Sequence, residues 1–354
     1  MTREAAVWRT LSEAGIVSGE IPPSSAATAW YVRALLGFGG WLAAGFLVSF
    51  AFAAVAFVMA SPPAAVVVGL GMIAGARAAL SARPESPFVV QMGLATSFAG
   101  QAVFIVGIER AVDHPQTVAF VVAMFEATLA VFVPQTVHRF CCAAAAGFAM
   151  AIALMLSGAH FLSVGLLAAM VAAAWLNEFA WAASASTVRP IAYGVTLALV
   201  LVQGTWFMQL QPYQLARFGT LEWFPRWLGS ALPAIVLVAV AVRLLQRWQR
   251  PLGDRDAMVT IGVTAAIGAA SFAAPGVAAA MTVVLLGFAN GNRILMAIGV
   301  TALLSYVSAY YYQLETTLLV KSVALSVTGA TLLLARWTLA RWLLTDPEVE
   351  ASGT

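Results

Sequence analysis

One carboxylate in this sequence lies inside a long apolar segment, where an acidic group is most able to do chemistry. Glu126 lies within the stretch VVAMFEATL at residues 121–129. An ionised carboxylate at such a position costs on the order of 3 kcal/mol unless it is paired or protonated. Reversible proton binding is therefore one hypothesis for Glu126, and a structural hydrogen bond to a neighbouring helix is the alternative. Gln101, at mid-depth in the preceding apolar segment, is its candidate partner.

Other polar side chains gather where apolar segments end. Asn290, Asn292 and Arg293 crowd a very short connection between two apolar segments, and Glu315 and Lys321 bracket the start of the last one. By themselves, these residues indicate a tight turn and a surface ion pair. Lys321 lies about one turn inside, so its charged end reaches the polar boundary along an apolar stem.

Several enzyme classes lack the residues that they require. The chain has no Gly-x-x-x-x-Gly-Lys phosphate loop, no His-Glu-x-x-His zinc motif and no Gly-x-Ser-x-Gly elbow. The three histidines, His114, His138 and His160, stand near predicted helix ends and do not pair at ligand spacing. Cys141 and Cys142 are adjacent, which predicts small apolar fillers rather than a disulfide framework. We therefore expect no enzymatic activity, cofactor, metal site or nucleic-acid partner.

The composition of the chain indicates that membrane-spanning segments position these residues. Hydrophobic residues make up 62% of the 354 and charged residues only 9%, whereas soluble domains carry about 25% charged residues. Apolar runs follow one another from residue 34 to 342, and about 20 apolar residues in a helix cross a bilayer. Because these runs do not alternate polar and apolar side chains, they predict helices rather than barrel strands.

The sequence thus predicts an all-α transmembrane bundle of about 12 spans. The first six predicted spans are 34–60, 64–82, 88–108, 116–137, 139–157 and 160–182. The second six are 190–209, 227–245, 257–273, 276–291, 293–311 and 317–342. Residues 1–33 form a short cytoplasmic segment before this transmembrane domain at 34–342, and residues 343–354 form a cytoplasmic tail. With both termini in the cytoplasm, most of the 18 basic residues fall on the cytoplasmic side, as the positive-inside rule requires.

Glycine and proline predict how the spans pack and end. Gly71-x-x-x-Gly75 has the spacing that lets two membrane helices approach closely. Pro134, Pro233 and Pro275 predict kinks or turns near helix ends, because proline cannot continue the hydrogen-bond ladder.

Three stretches of the chain resemble one bacterial family of polytopic membrane proteins. They are WYVRALLGFGGW at 30–41, GFANGNR at 287–293 and YYYQLETTLLVKS at 310–322. They are similar to the family catalogued as domain of unknown function 4401. The resemblance implies a bacterial inner-membrane location. It also implies a small membrane-anchored protein partner, which Asn290, Asn292, Arg293, Glu315 and Lys321 would contact.

Two functions follow as hypotheses. The leading one is transport or permeation of a small solute, coupled to protons through Glu126. The alternative is a non-catalytic scaffold or accessory subunit of a membrane or envelope complex, since the distinctive polar residues gather at helix ends. The sequence names neither the solute nor the partner.

Overall fold

The computed structural model describes residues 8–10, 12–15, 61–82, 86–207, 227–272 and 274–313, and in addition residues 35, 38, 39, 42, 45 and 46. The predicted last span at 317–342, Glu315, Lys321 and the C-terminal tail lie outside these residues. So do most of the predicted first span and most of the segment 1–33.

Ten α-helices make up most of the described part, which contains no β-strand. They are α1 (Pro62–Ala82), α2 (Pro87–Ala111), α3 (Pro115–Phe132), α4 (Thr136–Leu156), α5 (Phe161–Leu176), α6 (Ala185–Phe207), α7 (Leu228–Arg247), α8 (Arg255–Ala270), α9 (Val277–Ala289) and α10 (Arg293–Gln313). A 3₁₀ turn at Ala182–Ser184 precedes α6. The all-α prediction is confirmed for this part of the chain.

Seven of these helices are long and apolar enough to cross a membrane: α1, α2, α3, α4, α6, α7 and α10. Helices α5 and α9 are also apolar but have only 16 and 13 residues. At 1.5 Å per residue they are about 24 and 20 Å long, less than the ~30 Å of a bilayer's hydrocarbon core. The structure supports a helical membrane bundle, and the count of twelve spans stays a prediction.

Proline sets the boundary between α3 and α4. Helix α3 ends at Phe132, five residues before the predicted end of that span, because Val133 and Gln135 are extended around Pro134. The residue before a proline is driven from the helical region by the proline ring. Gln135 then caps α4, since its side chain accepts a hydrogen bond from the backbone N–H of His138 at 2.6 Å.

The chain divides into two compact units, residues 1–111 and 112–354. In the first unit α1 packs along α2. A Cβ built at Gly100 would lie 2.8 Å from the carbonyl oxygen of Gly69, and one at Gly69 would lie 2.7 Å from that of Gly100. These two glycines therefore bring the helix backbones together.

Gly71 and Gly75 take no part in the contact between α1 and α2, and close packing at these two glycines stays a prediction. A Cβ at either position has open space within 4 Å among the described residues. The glycines on the packed face of α2 are instead Gly93, Gly100 and Gly107, spaced seven residues apart. Seven residues make nearly two full turns, so all three project from one face.

In the second unit α4 lies between α3 and α6, and α7 packs with α5, α8 and α9. Helix α9 pairs with α10 through a short turn at residues 290–292. Gly194 brings α6 against the backbone of α4 at Phe140. Many large apolar side chains on the outer helix faces are exposed, including Phe120, Val131 and Ile235. Such surfaces suit contact with lipid.

Candidate functional site

Glu126 is buried on the face of α3 that packs against α4. Its side chain is 2% exposed, and it accepts a hydrogen bond from the thiol of Cys142. The second carboxyl oxygen, Oε2, is buried and has no hydrogen-bond partner among the described residues. A buried polar atom without a partner is costly, so such atoms often mark sites that do more than stabilise the fold.

Cys142 links Glu126 to a buried imidazole. The Sγ atom of Cys142 lies 3.4 Å from Nδ1 of His138 and 3.8 Å from Nε2, one turn earlier on α4. Both side chains are almost completely buried. The order Glu126, Cys142, His138 is therefore a row of three proton-exchanging groups that runs towards the start of α4.

Glu126 does not lie at the middle of its helix. It stands six residues before the end of α3 at Phe132, which is about 9 Å at 1.5 Å per residue. The predicted span to residue 137 had placed it near mid-depth. The earlier end of α3 brings Glu126 closer to the turn around Pro134, and hence closer to one end of the bundle.

This row of side chains is suited to holding or passing a proton. A carboxyl, a thiol and an imidazole each accept and donate protons, and each is close enough to the next for a hydrogen bond. In the part of the chain that the structure describes, no three His, Cys, Asp or Glu side chains come together so that they could hold a metal ion.

Gln101, the candidate partner of Glu126, lies in the first unit on α2. It is 7% exposed, and its Nε2 donates to Oγ of Ser97 on the preceding turn at 3.4 Å. Glu126 belongs to the second unit. The pairing of Gln101 with Glu126 stays a prediction.

The two asparagines of the α9–α10 turn bind the interior of the second unit. Nδ2 of Asn290 donates to the carbonyl oxygen of Trp175 at 2.8 Å. The amide of Asn292 lies 2.7 to 2.9 Å from the hydroxyl of Tyr193, and its Oδ1 accepts from the backbone N–H of Leu295 at 3.1 Å. The second contact caps the start of α10. Both side chains therefore hold α5 and α6 to this turn.

Trp175 is at the centre of these contacts. It is 1% exposed, and its indole N–H donates to Oγ1 of Thr196 at 3.1 Å. Its ring meets that of Tyr193 edge to face, with 4.9 Å between the ring centroids. Arg293, next to Asn292, is exposed. Of the three predicted interface residues in this turn, Arg293 is therefore the one that is most open to a partner.

The sequence model of one family, described as a domain of unknown function (DUF4401), matches residues 29–342. The chain belongs to the DUF4401 family. The match includes all three stretches on which the resemblance was based. No curated protein and no solved structure is significantly similar to this chain.

In this DUF4401 chain, sequence reasoning missed two members of the buried row. The sequence predicts a helix end for His138 and an apolar filling role for Cys142, and it predicts no contact between the two. Their separation of four residues on one helix was the available signal, because such residues lie on the same face. That this face meets Glu126 depends on the rotation of α3 against α4, which hydropathy does not fix.

Proposed function

We propose that this protein is a transporter or permease of the bacterial inner membrane that moves a small solute together with a proton bound at Glu126. The observation that carries the proposal is the buried carboxyl oxygen Oε2, which no described residue satisfies. Among the described residues an ionised Glu126 has no ion pair, and a protonated Glu126 has an O–H to donate. The ionised form can therefore be neutralised by an incoming proton, and the protonated form can donate a hydrogen bond to an incoming polar solute.

The neighbours of Glu126 support a proton route from one end of the bundle. His138 is the third residue of α4, and Cys142 lies one turn further in. When the thiol proton of Cys142 passes to the carboxylate and a protonated His138 imidazole returns a proton to the sulfur, Glu126 becomes neutral without contact with water. Glu126 is the proton-binding group in this proposal, and Cys142 and His138 are the residues that position and relay the proton.

The contacts of three arginines in the second unit support an assignment of which end of its helices faces the cytoplasm. Arg139 contacts Ser186, Arg189 pairs with Glu178 and Arg247 lies over Phe179. These contacts put the starts of α4 and α6 and the ends of α5 and α7 at one end. Because basic residues concentrate on the cytoplasmic side, we assign this end to the cytoplasm, and His138 would then take its proton from that side.

The first prediction concerns Glu126→Gln, which keeps the size of the side chain and removes its titration. The wild type is reconstituted in proteoliposomes that contain a pH-sensitive dye, and fractions of a bacterial metabolite extract are added one at a time. We expect at least one fraction to cause proton movement into or out of these proteoliposomes. Glu126→Gln should reduce the rate at least tenfold, about the loss of one catalysed proton transfer. Glu109→Gln is the matched control, because Glu109 is exposed at the end of α2.

Two outcomes would count against the proposal. If Glu126→Gln moves protons with the same rate and pH dependence as the wild type, the coupling residue is wrong. If no fraction produces proton movement with the wild type, transport itself is wrong.

A second candidate function, a scaffold for a membrane complex, is favoured by the exposure of Arg293 at a turn whose asparagines face inwards. On this hypothesis Arg293→Ala should leave thermal stability unchanged and release a stoichiometric partner during purification from native membranes in mild detergent. Asn292→Ala should instead lower stability by about 1–2 kcal/mol, the usual loss of a helix cap and one further hydrogen bond. Recovery of the chain without any stoichiometric protein would reject the scaffold.

A further inference from the structure

The connection between α5 and α6 exposes aromatic rings at the arginine-bearing end. Phe179 is 59% exposed, Trp181 is 42% exposed, and Trp248, directly after α7, is 52% exposed. Large aromatic side chains are enriched at the boundary between hydrocarbon and water. This connection therefore has the composition of a segment that lies at the membrane surface.

Three guanidinium groups from three helices surround the same connection. Arg189 on α6 pairs with Glu178 at 2.8 Å. Arg247 on α7 lies over the ring of Phe179, with 4.8 Å between Cζ and the ring centroid. Arg139 on α4 donates through Nη1 to the carbonyl oxygen of Ser186 at 3.0 Å.

Within the described part of the chain, two of these cations are not neutralised by an ion pair. Glu178 is only 10% exposed and is already paired with Arg189. Among the described residues no carboxylate pairs with Arg139 or Arg247, and Nε of Arg139 is buried without a hydrogen-bond partner. Arg243, four residues before Arg247, adds a charge on the same helix face. The corner therefore has an excess of positive charge beside its aromatic rings.

An apolar track leads to this corner along α5. Leu162, Leu166 and Met170 are each about 40% exposed and recur at a spacing of four residues, so they lie along one face of the helix. Exposed Ala173 and Asn177 continue that face to the arginines. A ligand that fits both parts needs an anionic end and a long apolar chain.

We propose that this corner, formed by Arg139, Arg247, Phe179 and Trp181, binds the phosphate-bearing headgroup of an anionic lipid whose acyl chain lies along α5. The guanidinium fork matches two phosphate oxygens at once. The apolar track selects a lipid over a soluble phosphate. Arg139 directly follows His138 in α4, but the corner includes neither Glu126 nor Cys142 and the proposal does not depend on transport.

The test is native mass spectrometry of the full chain in mild detergent with equal amounts of phosphatidylglycerol and phosphatidylcholine that carry the same acyl chains. We expect the wild type to retain the anionic lipid preferentially. Arg247→Gln should reduce that preference about fivefold, since one arginine near a membrane surface contributes about that factor, and the Arg139→Gln/Arg247→Gln double variant should reduce it further. Arg247 is exposed, so its single variant keeps the test valid if the double variant does not fold.

Arg110→Gln makes the same change of charge in the first unit and should leave the preference unchanged. Equal retention of both lipids by the wild type would overturn the proposal, as would an equal loss in Arg110→Gln. Displacement of the lipid by soluble glycerol phosphate at similar concentration would reassign the corner to a soluble phosphate. Glu126→Gln should keep the lipid preference of the wild type, because Glu126 is not part of the corner.

Discussion

Replacing Gly100 with valine is expected to prevent α1 and α2 from reaching their native separation. A Cβ there would lie 2.8 Å from the backbone oxygen of Gly69 and 2.9 Å from Cβ of Met72. Backbone cannot move aside as the end of a flexible side chain does, so the helices must separate and lose packing along both of them. Overpacking in a close contact costs about 1–3 kcal/mol, and we expect about 3 kcal/mol here.

Gly71→Val is the matched control for this substitution. It adds the same side chain to the same helix pair, at a position where the described residues leave a Cβ with open space. The measurement is the helical circular dichroism signal during heating in mild detergent, together with the yield of monodisperse protein. Equal stability of the two variants would show that α1 and α2 do not approach through Gly100.

Trp175→Ala is expected to cost about 3–5 kcal/mol, the usual cost of replacing a buried tryptophan by alanine. The substitution removes the hydrogen bond to Thr196 and the edge-to-face contact with Tyr193. It leaves a cavity at the point where α5, α6 and the α9–α10 turn meet. Tyr193 also holds Asn292, so we expect the cap of α10 to weaken as well.

One variant separates the hydrogen bond of Trp175 from the packing of its ring, and a second variant at an exposed tryptophan is the control. Trp175→Phe keeps most of the ring but removes the indole donor. It should cost about 1–3 kcal/mol, because the hydroxyl oxygen of Thr196 loses the N–H from which it accepts and keeps only its own donation to the carbonyl oxygen of Ala192. Trp181→Ala removes an exposed ring and should change the unfolding midpoint little. Chemical denaturation in mixed micelles gives the comparison, and a Trp175→Ala variant as stable as Trp181→Ala would contradict the packing described here.

The apolar runs were enough to predict the ten described helices, because a long apolar segment in lipid satisfies its backbone hydrogen bonds by forming a helix. They were not enough to predict which faces meet. Gly71 and Gly75 have the expected spacing yet line no described contact, whereas Gly69 and Gly100 pair across two helices. The spacing of residues along one helix does not determine how that helix is rotated against its neighbour. The face that packs could therefore not be predicted.

For the candidate site, too, burial could be predicted from the sequence and contacts between helices could not. The position of Glu126 in an apolar run predicted a buried carboxyl, and burial is what the structure shows. Its neighbour Cys142 could not be identified, because that contact depends on how α3 and α4 are rotated. The crowding of Asn290 and Asn292 in a short connection is visible in the sequence, but their hydrogen bonds to Trp175 and Tyr193 span about a hundred residues. Pairings at that separation are set by the tertiary fold.

The early end of α3 has an electrical consequence. With the arginine-bearing end at the membrane surface, a charge that reaches Glu126 from that side travels about 9 Å, roughly a third of a hydrocarbon core about 30 Å thick. A full crossing is worth about 2.3 kcal/mol per charge at 100 mV. If Glu126 binds a proton from that side as proposed, the resting voltage of a cell would bias its protonation by about 0.7 kcal/mol, or roughly threefold, before any solute is present.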